Sequence, residues 1–187
     1  MITKIGVQGD KGSTNERASF IFIEKHRIKN PEIIYLISTE NVLKALKNGD
    51  IDYGTFAYRS TKGLIKETKE AIKRYEYKKI DEIKLDLDHA LLSRKKINLN
   101  KTVNIYSYPQ ALGEHESFLR KHFKDVNLIS ELDTALSALK LRDNKYPENS
   151  MVIAPISCAK LYNLDVYMED LPTNQGYITT LYLVKAD

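Results

Sequence analysis

Three hydroxyl side chains, those of Ser13, Ser107 and Thr134, lie where a strand is predicted to give way to a helix. At such a position the unpaired backbone amides and the helix dipole favour an anion, and a hydroxyl can donate a further hydrogen bond. The alternative is that each residue only caps its helix, a contribution of about 1 kcal/mol. The residue pattern alone favours the capping role for all three.

The four histidines and the single cysteine give no metal-binding pattern. His115 and His122 are seven residues apart on one predicted helix, which differs from the i, i+4 spacing of a zinc-binding pair. Cys158 has no second cysteine for a disulfide or a zinc site, which favours a reducing compartment and a buried structural role. We therefore expect no metal.

Composition narrows the class of protein further. The chain has 187 residues, 29 basic against 25 acidic, and 42% hydrophobic residues, a mix typical of a globular protein of one domain or two small lobes. The charge excess of +4 is too slight to indicate nucleic-acid binding. The sequence contains neither an apolar run of about 20 residues nor a signal-peptide core at its start, so we expect no membrane association and a cytoplasmic location.

Short β-prone segments alternate with helical patterns along the chain, which predicts an α/β fold with largely parallel sheets. Ser13 and Glu16 form a capping box at one helix start, Gly49 ends a second helix, and Pro109 begins another. The pattern also predicts a basic amphipathic helix over about 63–77. Alternating apolar residues predict one strand over 83–90.

The pattern of apolar residues is weakest near residues 77–80 and 164–170. This indicates two lobes that are connected by two chain crossings. We expect lobe 1 to comprise about residues 1–78 and 170–187, and lobe 2 about 79–169. Ligands of parallel sheets bind beyond the carboxyl ends of the strands. The loops at 9–13, 57–61 and 107–110 are predicted to lie there.

Residues 105–112 read I-Y-S-Y-P-Q-A-L, which resembles the segment V-Y-S-H-P-Q-A-L of the prephenate dehydratase family. Further segments that resemble the family are 5–13 (I-G-V-Q-G-D-K-G-S), 48–54 (N-G-D-I-D-Y-G), 133–135 (D-T-A) and 159–164 (A-K-L-Y-N-L). Together these segments cover nearly the whole chain.

The resemblance implies two α/β lobes like those of a type II periplasmic binding protein, with the active site in the cleft. It implies conversion of prephenate to phenylpyruvate, with release of water and carbon dioxide, in phenylalanine biosynthesis. It also implies a small-molecule carboxylate as the ligand and no cofactor. Family members usually add a C-terminal ACT domain, which we do not expect here. A homodimer is one open alternative for the assembly.

The family's site residues are only partly present. The segment 57–60 (A-Y-R-S) stands where the family has P-I-E-N-S/T, Tyr108 replaces a histidine, and Thr180 replaces the arginine of a closing T-R-F. Thr179 aligns with the family's catalytic threonine and is the candidate catalytic residue. The candidate substrate-binding residues are Ser13, Arg59, Ser60, Ser107, Gln110, Ala111 and Thr134, of which Arg59 could replace the lost positive charge.

Three hypotheses for the function stay open at this point. The first is a prephenate dehydratase, a carbon–oxygen lyase. The second is a non-aromatising prephenate decarboxylase-like enzyme, and the third is a small-carboxylate binding or sensor domain that has lost catalysis. The fold cannot decide among them, because function depends on the site.

Overall fold

The computed structural model describes residues 2–61, 63–86, 88–172 and 178–187. Its first nine elements are β1 (Thr3–Val7), α1 (Thr14–Lys25), β2 (Pro31–Tyr35), α2 (Thr39–Asn48), β3 (Tyr53–Ser60), β4 (Gly63–Leu64), α3 (Lys66–Ala71), β5 (Lys78–Asp86) and β6 (His89–Ser93). The other eight are β7 (Val103–Ser107), α4 (Pro109–His122), β8 (Val126–Ser130), α5 (Thr134–Arg142), β9 (Ser150–Pro155), α6 (Ser157–Tyr162), β10 (Asp165–Met168) and β11 (Ile178–Lys185).

These elements form two compact units, each with its own sheet. Unit 1 comprises Met1–Leu87 and Gly176–Asp187, and unit 2 comprises Asp88–Gln175. The predicted lobe boundary at residue 78 differs from this division, because β5 pairs with β11 along its whole length and so belongs to unit 1. The second predicted boundary, at residue 170, lies six residues before the return to unit 1 at Gly176.

The sheet of unit 1 has the strand order β2-β1-β3-β11-β5. Strand β1 is parallel to β2 and β3, whereas β11 is antiparallel to both β3 and β5. Helix α1 buries Ala18 and Phe22 against Leu181 and Leu183 on one face. Helix α2 covers the opposite face, where Gly54 allows a close approach, since a Cβ there would lie 2.6 Å from a methyl group of Val42.

The sheet of unit 2 has the order β10-β6-β9-β7-β8. Strand β7 is parallel to β8 and β9, while β6 is antiparallel to β9 and β10. Leu119 of α4 packs on one face with Ile105 and Ile153, and Ala138 of α5 packs on the other. Both sheets are therefore mixed, which corrects the prediction of largely parallel sheets. The α/β class itself is confirmed.

The helix ends are explained by their cap residues. Ser13 and Ser38 accept hydrogen bonds from amides in the first turns of α1 and α2. Gly49 ends α2 with a φ of 75°, a conformation that a residue without a Cβ adopts at little cost. Pro109 is the first residue of α4, as predicted. The longest described helix, α4, has 14 residues, and no described helix is long and apolar enough to cross a bilayer.

Two predicted elements differ from the structure. The predicted helix over 63–77 is helical only over Lys66–Ala71, with the short strand β4 before it. The predicted strand over 83–90 is two strands of different units, since β5 ends at Asp86 and β6 begins at His89. The alternation of apolar residues continues from one strand into the next, so periodicity could not show the division.

Candidate functional site

The N-terminus of α1 is occupied by an acidic side chain of the protein itself. Ser13 caps the helix, its Oγ accepting a hydrogen bond from the amide of Glu16 at 3.2 Å. The Glu16 carboxylate folds back, with Oε2 accepting from the amide of Gly12 at 2.8 Å and Oε1 accepting from the Tyr35 hydroxyl. The carboxylate thus already satisfies part of the helix's positive end. This geometry favours the capping role for Ser13.

The N-terminus of α5 has a similar arrangement. Asp133 is the N-cap, and its Oδ1 accepts a hydrogen bond from the amide of Leu136 at 2.8 Å. Thr134 is the first helical residue and is half-buried beside this carboxylate. An anionic ligand at α5 would therefore meet a negative charge.

The N-terminus of α4 differs from both. Its N-cap, Tyr108, makes no capping hydrogen bond through its side chain, and the first turn contains no acidic residue. Pro109 has no N–H, so the leading amides are those of Gln110 and Ala111. The first turn of this 14-residue helix contains no acid to oppose the positive end of the helix dipole, which suits a carboxylate.

Ser107 holds the loop before α4 in place. It is fully buried, and its Oγ donates a hydrogen bond to the carbonyl oxygen of Ile153 at 2.7 Å. Its carbonyl oxygen accepts from the amide of Glu131 at 2.8 Å. Because a serine hydroxyl has one proton, this one has none left for a ligand carboxylate. In this geometry Ser107 positions the backbone.

In unit 1 the two consecutive threonines of β11 lie on opposite faces of the sheet. Thr179 pairs with Ser60 and Leu85, on the face that α1 covers. Thr179 is only 5% exposed, and its hydroxyl makes no hydrogen bond within the described part of the chain. Thr180 points to the other face.

A pocket of about 360 Å³ opens on the Thr180 face. Thr180 pairs with Arg59 of β3 and with Lys84 of β5, so all three side chains lie on this face. The residues that shape the pocket include Tyr58, Arg59, Thr61, Lys84, Thr180 and Tyr182. Arg59 therefore lies on the face opposite Thr179, and the prediction that both serve one ligand gains no support from unit 1.

Unit 2 contains a buried histidine pair that the sequence did not predict. His89 Nδ1 lies 3.1 Å from His115 Nε2, and His115 Nδ1 lies 3.1 Å from the carbonyl oxygen of Pro172. The carbonyl accepts the His115 Nδ1 proton, so Nε2 accepts from His89 when both rings are neutral. Burial, and secondarily the neighbouring His115, lowers the pKa of His89 to about 3.

The described residues contain no group of three or more histidine, cysteine, aspartate or glutamate side chains that could hold a metal ion. Cys158 is fully buried in the core of unit 2 among apolar residues, as the sequence predicts. The predicted closing segment of the site begins at Tyr177, which lies outside the described residues.

A family model for prephenate dehydratase matches residues 5–187. The chain belongs to the prephenate dehydratase family. It is 29% identical over 178 residues to the bifunctional chorismate mutase/prephenate dehydratase of Buchnera aphidicola subsp. Acyrthosiphon pisum, a match that covers 94% of this chain and 45% of the relative. The chain therefore spans less than half the length of that relative. The resemblance inferred from the motifs is confirmed.

Solved structures support the same family's fold. Prephenate dehydratase from Arthrobacter aurescens, in complex with L-Phe, matches with a TM-score of 0.80 and 20% identity over 99% of this chain and 61% of that one. An ABC transporter periplasmic substrate-binding protein from Coxiella burnetii matches with a TM-score of 0.56 and 16% identity, covering 99% and 84%. The predicted likeness to periplasmic binding proteins is thereby confirmed for the fold.

Sequence reasoning missed two features of these sites. No sequence pattern marks Lys84 as a functional residue, because only strand pairing brings it beside Thr180 and Arg59. His89 and His115 are 26 residues apart, so their contact depends on how α4 packs against β6. Tyr58 was notable in the sequence only because it stands at a family site position.

Proposed function

We propose that the protein catalyses the decarboxylation and dehydration of prephenate to phenylpyruvate. The observation that carries this proposal is the family match over residues 5–187, which includes the segment that forms the start of α4, where the first turn contains no acid. Family membership supplies the reaction class, and α4 supplies a recognition element for a carboxylate.

The helix start of α4 is the proposed carboxylate site of unit 2. The amides of Gln110 and Ala111 lead the helix, and Ala111 is 5% exposed, so the helix start is largely withdrawn from water. Low local polarity strengthens a charge-assisted hydrogen bond. Ser107 acts here as a positioning residue through its bond to Ile153. Ser13, Ser60 and Thr134 stay predicted substrate contacts.

Thr179 is the proposed catalytic residue of unit 1. In the reaction the bond between the ring and the carboxylate breaks as carbon dioxide leaves, and its electron pair enters the ring. The ring's carbon–oxygen bond then breaks, and the departing hydroxide must gain a proton to become water. The Thr179 hydroxyl makes no hydrogen bond to the described residues and is mostly buried, so it can donate a hydrogen bond to that oxygen.

Identification of the product separates the three hypotheses. The purified chain is incubated with prephenate, and the products are resolved by liquid chromatography and mass spectrometry at a pH where prephenate is stable without enzyme. We expect phenylpyruvate. A non-aromatic product that has lost only carbon dioxide would support the decarboxylase-like alternative instead.

Recovery of unchanged prephenate, together with a raised melting temperature, would support the binding or sensor domain. A ligand at about 100 times its Kd adds about 2.7 kcal/mol to the free energy of unfolding, which a thermal-shift assay detects. The cytoplasmic location and the homodimer stay predictions, to be checked by cell fractionation and by light scattering.

A further inference from the structure

The pocket on the Thr180 face of unit 1 combines two cations that have no acidic partner among the described residues. Arg59 and Lys84 are both exposed, and neither makes a hydrogen bond or an ion pair within the described residues. Glu82, the acid beside them in β5, is already paired with Lys79, whose Nζ lies 2.9 Å from Glu82 Oε2. The pocket therefore presents an excess of positive charge.

Hydroxyl and aromatic groups complete the pocket. Thr180 is 7% exposed, and its hydroxyl makes no hydrogen bond within the described part of the chain. The rings of Tyr58 and Tyr182 stack with their centroids 4.2 Å apart and their planes inclined by 14°. Both rings border the pocket and form a half-buried aromatic wall, and Lys79 Nζ also lies over the Tyr182 ring, 4.9 Å from its centroid.

We propose that this pocket is a binding site for a small monoanion in which a carboxylate is attached to a planar apolar ring. An arginine guanidinium matches a carboxylate in shape and donates two parallel hydrogen bonds, while Lys84 adds a second charge and Thr180 a third donor. The tyrosine wall accommodates the ring. A pocket of about 360 Å³ is within the usual range for small-ligand sites.

This site is distinct from the proposed catalytic hydroxyl, because Thr179 and Thr180 are neighbours on one strand and point to opposite faces. The proposal therefore does not rest on turnover of prephenate. It would stand for a chain without catalytic activity, and it would fail independently of the proposed function.

The test is isothermal titration calorimetry with benzoate as the probe. We expect the wild type to bind benzoate, and both Arg59→Gln and Lys84→Gln to weaken binding by about 10- to 100-fold, as loss of a hydrogen bond to a charged group predicts. Lys78→Gln is the matched control, since Lys78 is an exposed lysine of β5 away from the pocket. This variant and Thr179→Val should bind like the wild type.

Two further probes test the chemistry of the ligand. Benzamide, which has the same shape without the charge, and acetate, which has the charge without the ring, should each bind at least tenfold more weakly than benzoate. Equal binding of either probe overturns the proposed ligand class. Absence of benzoate binding at 10 mM, or a loss in Thr179→Val as large as that in Arg59→Gln, overturns the site. Circular dichroism checks that every variant is folded.

Discussion

Helices α1 and α4 both begin at the carboxyl end of a strand in a parallel pair, yet their N-termini have opposite electrostatics. Helix α1 receives the carboxylate of Glu16, which accepts from the amide of Gly12 and from the Tyr35 hydroxyl. Helix α4 has no acid in its first turn and no side-chain cap. The same local geometry can therefore stabilise the fold or remain available to a ligand.

The difference indicates which of the predicted loops is suited to an anion. At α1 and α5 the positive end of the helix is partly compensated within the protein, by Glu16 and Asp133. At α4 the first turn contains no acid and the N-cap side chain makes no capping hydrogen bond, and the segment there resembles the family's V-Y-S-H-P-Q-A-L.

The largest expected effect comes from giving α4 the acid that α1 and α5 have. Gln110→Glu places a carboxylate in the first turn, where it should repel the carboxylate of prephenate and weaken binding about 10- to 100-fold. The same charge should raise the free energy of unfolding by about 0.3–1 kcal/mol through the helix dipole. Thermal-shift titrations with prephenate and urea unfolding measure the two effects.

The control is Gln110→Ala, which removes the side-chain carboxamide, adds no charge and keeps the backbone amide. This variant should change the affinity for prephenate far less. A Gln110→Glu variant that binds prephenate as tightly as the wild type would exclude α4 as the carboxylate site. Opposite changes in affinity and stability would show that the loss of binding does not result from unfolding.

The next largest effect concerns the core beneath α4, where His89 contacts His115. Because the folded-state pKa of His89 is lowered to about 3, the unfolded chain binds a proton that the folded chain does not. The neutral, buried His89 therefore contributes fully to the free energy of unfolding above about pH 6.5. This contribution is lost as the pH falls towards 3. At pH 5 the loss is about 2 kcal/mol.

Urea unfolding at pH 7 and at pH 5 measures this loss, with His89→Gln as the control. Glutamine does not titrate, so the variant should lose about 2 kcal/mol less than the wild type over that range. The same pH dependence in both proteins would contradict the assignment to His89. Asp88 and Glu114, the half-buried and buried acids that precede His89 and His115 in the sequence, are unchanged in the control.

A smaller effect is expected from removing the acid at α1. Glu16→Gln keeps the shape of the side chain but loses the charge that faces the helix start, and should lower the free energy of unfolding by about 1 kcal/mol. Glu24→Gln changes an exposed glutamate of the same helix and is the control. If the two variants were equally stable, the carboxylate of Glu16 would not compensate the dipole.

The sequence predicts most of the helices and several strand positions, because caps and breakers act locally. The Ser13–Glu16 pair, Gly49 and Pro109 each mark a helix end that the structure contains. The strand β2 was missed, since Pro31 opens it and its residues do not alternate in polarity. The alternation of apolar residues also does not indicate that β5 and β6 belong to different sheets.

The candidate site was less predictable, for a physical reason. Alternation shows that Thr179 and Thr180 face opposite ways, but only the pairing of β11 with β3 and β5 shows which one shares a face with Arg59. Likewise, the sequence could not show that the Ser107 hydroxyl donates its hydrogen bond to the carbonyl oxygen of Ile153. Hydrogen-bond partners distant in sequence are set by tertiary packing.

The most direct test of the proposed chemistry is the turnover number for phenylpyruvate formation in Thr179→Val and Thr180→Val, assayed side by side. Valine is nearly isosteric with threonine and lacks the hydroxyl. If Thr179 stabilises the departing hydroxide, Thr179→Val should lower kcat by about 100- to 1000-fold with KM nearly unchanged. Thr180→Val should retain most activity, because its side chain lies on the opposite face. Equal kcat values for the two variants would contradict the account.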